Sequence, residues 1–96
     1  MIREIANLTI DPANAAAFEA AVARAVPLFR AAPDCFGVHL ERVIEEPGRY
    51  RLVVQWASVA AHTEVFRASP AFQEWRALAG PFFSEPPHVV HTEQVV

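Results

Sequence analysis

The tract from Gln55 to Trp75, QWASVAAHTEVFRASPAFQEW, holds the side chains best suited to chemistry. It leaves an apolar strand through Trp56 and enters an interrupted amphipathic helix with one histidine, His62, among the residues spaced to face inward. Imidazole titrates near neutrality unaided, and a small change of surroundings tunes it. His62 on the wall of an apolar chamber is therefore a candidate base or proton shuttle. The plainer reading is a histidine hydrogen-bonded within the core. Asn7, between apolar neighbours on the first strand, is a candidate catalytic amide that anchors a substrate oxygen or a developing oxyanion. Its alternative is an edge or interface asparagine satisfied by backbone groups. Trp56, Phe66 and Trp75 are candidate walls for a planar ligand, although aromatic residues at helical spacing also build ordinary cores. His39 and His91 lie on separate strands, and each is a candidate substrate contact that faces either a cavity or a dimer seam. Arg42 and Arg51 either meet an anionic ligand or pair with Glu41 or Glu93.

Other chemistries are poorly supplied. All eight basic residues are arginine, which removes Schiff-base lysines and the phosphate-loop lysine. Cys35 stands alone, so neither an internal disulfide nor a cysteine metal cluster is available. His88 and His91 have a spacing that converges on a helix but diverges on a strand, where residues three apart point to opposite faces. There is no serine-nucleophile elbow, no glycine-rich phosphate loop and no paired-carboxylate motif. The sequence therefore predicts neither a metal nor a cofactor. The net charge of -3 lacks the basic stripe that nucleic acid requires. No apolar run approaches the ~20 residues of a membrane span, and MIREIANLTI does not read as a secretion signal. The expectation is a soluble, cytoplasmic protein with no nucleic-acid or membrane partner.

The elements that must position these residues read as strand, helix, strand, strand, helix, strand. Residues 2 to 10 form the first strand, and Asp11-Pro12 starts a helix running from Ala13 to about Ala32. Pro27, inside that pattern, should kink the helix or begin a separate last turn. Gly37 to Ile44 and Tyr50 to Trp56 form a hairpin around Glu46-Pro47-Gly48-Arg49. Ser58 caps the second helix, whose inward residues are Val59, His62 and Phe66. After a break at Ser69-Pro70 they continue with Phe72, Trp75, Ala79 and Phe82. His88 to Val96 is the last strand. This order predicts a single α+β domain over residues 1–96, a ferredoxin-like βαββαβ fold with a four-stranded antiparallel sheet and both helices on one face. The other face is partly apolar, and 53% of the chain is hydrophobic, more than one small core hides. A homodimer that packs sheet on sheet would cover it.

Taken together, ANLTI (Ala6 to Ile10), the Pro33-Asp34-Cys35-Phe36-Gly37 approach to the second strand, the series Trp56, His62, Ser69-Pro70, Phe72, Trp75, and the terminal Pro87-His88-Val89 resemble the antibiotic biosynthesis monooxygenase family of dimeric α/β barrels. The resemblance covers nearly the whole chain. It implies a homodimer with one cavity per subunit between sheet and helices. It also implies oxygenation of a phenolic, quinol or polyketide-like aromatic by O2 with no metal or flavin. Haem-degrading relatives also carry an asparagine on the first strand. This chain, however, places Phe66 and Arg76 where their tryptophan and haem-ligating histidine are expected, which argues against haem turnover. Other members imply two alternatives: a non-catalytic, stress-associated ligand binder, or an isomerase of a small oxo-metabolite. Fold alone does not decide among these.

Overall fold

A computed structural model describes residues 1–96. The strands are β1 (Ile2–Thr9), β2 (Cys35–Arg42), β3 (Arg49–Trp56) and β4 (His88–Thr92), and the long helices are α1 (Ala15–Arg30) and α2 (Pro70–Ala79). Short 3₁₀ turns occupy Pro12–Asn14 and Gly80–Phe82, and a π-helical turn spans Ala61–Phe66. The strands form one antiparallel sheet in the order β2-β3-β1-β4. This is the ferredoxin-like α+β arrangement expected from the sequence.

Strand alternation divides the sheet cleanly. Glu4, Ala6 and Leu8 of β1 face the helices together with Tyr50, Leu52, Val54 and Trp56 of β3, and all seven are buried. Their registered partners on β4 are Val89, opposite Ala6, and His91, opposite Glu4. Against this surface α1 lays Phe18, Val22, Ala25 and Phe29, which recur every three or four residues along one helical face. Phe18 sits edge-on to Phe82 and Phe83, and Phe29 packs on Phe66 and Trp75. Each such aromatic contributes roughly 1.5–3 kcal/mol through burial. Polar ties fix the orientation of α1. Tyr50 donates its hydroxyl to Glu19 Oε2 at 2.6 Å, and Arg42 approaches the same oxygen at 3.7 Å. Arg42 thus pairs with Glu19 rather than with Glu41 or Glu93.

Several local expectations change. Asp11 does cap the entry to the first helical segment, accepting from the Ala13 amide, but that segment is a 3₁₀ turn and α1 proper begins at Ala15. Pro27 stays inside α1 without ending it. The carbonyl it leaves unpaired belongs to Ala23, which is exposed and can meet water. β2 starts two residues earlier than expected, at Cys35, because a bulge between Cys35 and Gly37 turns Phe36 outward and keeps the pairing with β3. β4 stops at Thr92, opposite Arg3, rather than continuing to Val96. Val59 is exposed, and Ala61 takes the inward place instead, because the turn that follows is π rather than α.

The β2–β3 turn depends on one backbone conformation. Gly48 has φ +85°, and its carbonyl accepts from the Ile10 amide at 2.8 Å. A Cβ at this position would lie 2.4 Å from the Ile10 carbonyl oxygen. Gly48→Ala is therefore expected to destabilise the fold by roughly 2 kcal/mol or more. Urea unfolding measures this directly, and a midpoint equal to that of the native chain would contradict it.

Candidate functional site

The site starts from a register. Glu4 and His91 are opposite each other on adjacent strands, both on the helix-facing side. The third member comes from the π-helical turn, in which the Arg67 amide donates to the His62 carbonyl, five residues back, at 3.0 Å. The wider turn brings Ala61, His62 and Phe66 inward together. Ser58 holds its start by accepting from the Ala61 amide, and Ser69 caps α2 immediately after it.

These elements bring three side chains into one line. His62 Nε2 lies 3.3 Å from Glu4 Oε1, and His62 Nδ1 lies 2.8 Å from His91 Nε2. Trp56 donates its indole N–H to Glu4 Oε1 at 3.0 Å, and its ring stacks on the His62 ring with centroids 5.6 Å apart and planes 18° apart. Glu4 and His62 are 5% and 2% exposed, whereas His91 is only partly buried. One end of the line is dry and the other reaches toward solvent.

Burial sets the charge state. Desolvation raises the Glu4 pKa; the Trp56 hydrogen bond and the Arg67 charge oppose it only in part. Desolvation also lowers the His62 pKa to about 4, helped by the charges of Arg67 and His91. Both groups are pushed toward neutrality. In that state one of the two imidazoles donates to the other across His62 Nδ1 and His91 Nε2, Trp56 donates to Glu4, and His62 Nε2 and Glu4 Oε1 are in close polar contact. The three groups do not form a metal cage. His62 spends one ring nitrogen on each neighbour, and the donor atoms do not converge on a shared point.

Glu4 and His62 form the floor of a cleft of about 790 Å³ between the sheet and α2. Its walls include Leu8, Phe72, Trp75, Phe83 and Val89, and Arg67, Gln73 and Arg76 are its other polar lining residues. A volume of this order suits a small organic ligand.

The residues singled out from the sequence fall into distinct places. His62 and Trp75 line the cleft, and His91 joins the line of proton-bearing groups behind it. Trp56 is fully buried and supports Glu4 and His62 from beneath. Phe66 packs among Phe29, Trp56 and Phe72 and borders a second, smaller pocket beside α1 instead. Asn7 and His39 project from the opposite face of the sheet. Asn7 donates to the His88 carbonyl at 3.3 Å, and His39 meets Glu41 at 3.1 Å. The structure does not bring either of them to the cleft. Sequence reasoning passed over Glu4, although the signal was there: it shares the inward parity of Ala6, Leu8 and Ile10, whereas Asn7 shares that of Arg3 and Thr9.

The sheet order and the helices packed on one face define a ferredoxin-like α+β protein with a cleft between its layers. Comparison with known proteins narrows the class. Residues 1–78 match the antibiotic biosynthesis monooxygenase family, and the chain belongs to that family. A crystal structure from Bordetella bronchiseptica that bears the family's name is 52% identical, with a TM-score of 0.96 over 99% of this chain and 97% of that one. A second, from Caulobacter crescentus, is 26% identical with a TM-score of 0.84, covering 99% of this chain and 90% of the other. The uncharacterized Bacillus subtilis protein YczJ is 36% identical over 95 residues, which span 99% of this chain and all of that protein. These relationships support a monooxygenase-like or small-molecule-binding role in general terms. No helix is long and apolar enough to cross a membrane.

The buried imidazole has a consequence for stability. Unfolded, His62 protonates near its ordinary value of 6.5; folded, it resists protonation until about pH 4. Its contribution is intact above 6.5 and is lost as pH falls toward 4. Glu4, raised from 4.5, runs the other way: its contribution is present below 4.5 and is lost as pH rises through its folded value. His62→Gln should therefore remove up to about 3 kcal/mol of the native chain's loss between pH 6.5 and 4. Urea titrations at several pH values provide the comparison, and parallel profiles for the two proteins would show that His62 is not held neutral.

Proposed function

We propose that the chain is a cofactor-independent monooxygenase for an electron-rich phenol or quinol. The observation that carries this reading is the buried line Glu4–His62–His91, which ends in the cleft on one side and near solvent on the other. His62 has both ring nitrogens engaged, so it serves as shuttle. Glu4, which also lines the cleft, presents the oxygen that meets the substrate hydroxyl. Shifting protons along the line leaves Glu4 a carboxylate and puts the proton on His91, where water can take it. Glu4 then removes the phenolic proton. The phenolate passes one electron to O2, and the resulting phenoxyl radical, through a ring carbon that shares its unpaired electron, joins superoxide to form a carbon–oxygen bond. Loss of the proton from that carbon breaks the O–O bond, giving the quinone and hydroxide, which takes a proton from the line to leave as water. One oxygen atom enters the ring, and the two hydrogens that it and the hydroxyl lose leave in the water. Trp75, Phe72 and Leu8 supply apolar walls that hold the caged pair away from solvent.

Oxygen uptake with a panel of hydroquinones and phenols tests this reading. His62→Ala and Glu4→Gln should each lower turnover by roughly 10²-fold or more, with His62→Gln and circular dichroism as controls for folding. Equal rates in native and His62→Ala proteins would remove His62 from the mechanism. Proton transfer without oxygen consumption would point to an isomerase using the same three groups.

We further propose that two copies pair through the sheet face that the helices leave open. Ile5, Val53 and Val90 are cross-strand neighbours there and form an apolar row, with Val90 38% exposed. Ile5→Glu should convert a dimer into a monomer in sedimentation equilibrium. A native protein that sediments as a monomer at micromolar concentration would contradict the pairing.

A further inference from the structure

The cleft is charged on one side of neutrality. Its only acidic lining residue is Glu4, at the buried floor, where desolvation favours the uncharged acid. Its two cationic lining residues are Arg67 and Arg76, both exposed. Neither is within salt-bridge distance of a carboxylate. Arg3, Arg24, Arg30 and Arg51 also lack such partners, so freedom from pairing alone marks nothing. Convergence on one concave surface separates Arg67 and Arg76 from the rest. Arg67 lies close enough to the floor for its charge to act on both Glu4 and His62. The Arg76 guanidinium lies 5.9 Å from the centroid of the Phe72 ring, which is also in the cleft wall. The result is a local positive field on a chain whose net charge is -3.

From this arrangement we infer that the cleft selects a hydroxyaryl carboxylate, an aromatic ring bearing an anionic group in addition to its hydroxyl. The inference rests on the cleft as the ligand site proposed above. The ring meets Phe72 and Trp75, the hydroxyl turns toward Glu4 and His62, and the carboxylate stays at the exposed mouth among Arg67, Arg76 and Gln73. A guanidinium offers paired N–H donors that match a carboxylate, and each such charged hydrogen bond is stronger than a neutral one. Arg67 has a second effect. A cation near the floor stabilises a phenolate more than the neutral phenol, so it favours the deprotonated substrate that reacts with O2. An exposed pair at the mouth also speeds the encounter with anions, an effect that salt weakens.

The test measures binding without oxygen, so that its outcome is separate from turnover. Hydroxynaphthoate and its methyl ester are titrated anaerobically against the intact chain, with quenching of tryptophan fluorescence as the readout. The acid should bind on the order of 10-fold more tightly than the ester. The combined Arg67→Gln, Arg76→Gln variant should bring the two affinities together by weakening the acid far more than the ester. Arg24→Gln, on α1 and outside the cleft lining, should keep the native ratio. Equal binding of acid and ester by the native protein would overturn the inference, as would a preference that survives loss of both arginines, or no binding of the acid at millimolar concentration. An acid preference with no oxygen uptake would sustain this inference and remove the oxygenase reading.

Discussion

A carboxyl group buried against an imidazole is the constraint from which the rest of the site follows. Neither group can be left alone in a dry interior, because an unpaired buried polar atom costs on the order of 1–3 kcal/mol and an unpaired charge costs more. Glu4 and His62 offset that cost through the Trp56 hydrogen bond to Glu4, the His62–His91 hydrogen bond and their own close polar contact. Each partner has to come from a different element, since Glu4 is on β1, Trp56 on β3, His91 on β4 and His62 on the turn before α2. The network therefore pins the end of the sheet to the helical layer. Replacing one member strands the others, so their contributions to stability are coupled.

The π-helical turn is what makes this coupling possible. In a regular α-helical turn, Val59, His62 and Phe66 would share the inner face, with Ala61 rotated away. The wider turn admits Ala61 beside His62 and leaves Val59 and Val65 exposed. A small residue at 61 allows the backbone to approach the sheet, and that approach brings His62 within reach of both Glu4 and His91. Ser69-Pro70 then restarts regular helix, so the irregularity stays local and α2 keeps Trp75 and Ala79 in the core. Irregular turns of this kind recur at functional sites because they aim a side chain that regular geometry would point elsewhere.

Much of this was legible in the sequence, and the limits have physical causes. Period-two alternation in the strands, the caps at Asp11 and Ser58 and the break at Ser69-Pro70 pointed to the topology, because those signals act within a few residues. The inward position of His62 followed from helical spacing. The partners of His62 did not, because strand pairing is nonlocal: nothing near Glu4 states that His91, far along the chain, will sit opposite it. Asn7 looked promising beside apolar neighbours, but parity with Arg3 and Thr9 sends it to the other face. Glu4 was overlooked because an acidic residue in a strand reads as solvent-exposed. Only its membership in the Ala6, Leu8, Ile10 series argues otherwise.

That parity also explains why the line of proton-bearing groups is robust to small rearrangement. Sliding β4 by one residue along β1 would place Val90 or Thr92 opposite Glu4 and turn His91 to the outer face. The same slip would turn Val89 out of the core and bring a different residue against Ala6. It would also disturb the Ile10–Phe83 bridge and the hydrogen bond from the Ser84 amide to the Thr9 carbonyl, which fix the start of the final crossing. The apolar packing on the helix-facing side therefore enforces the alignment that the polar groups need. Hydrophobic burial, which cannot distinguish one proton position from another, selects the single strand register in which Glu4, His62 and His91 are connected.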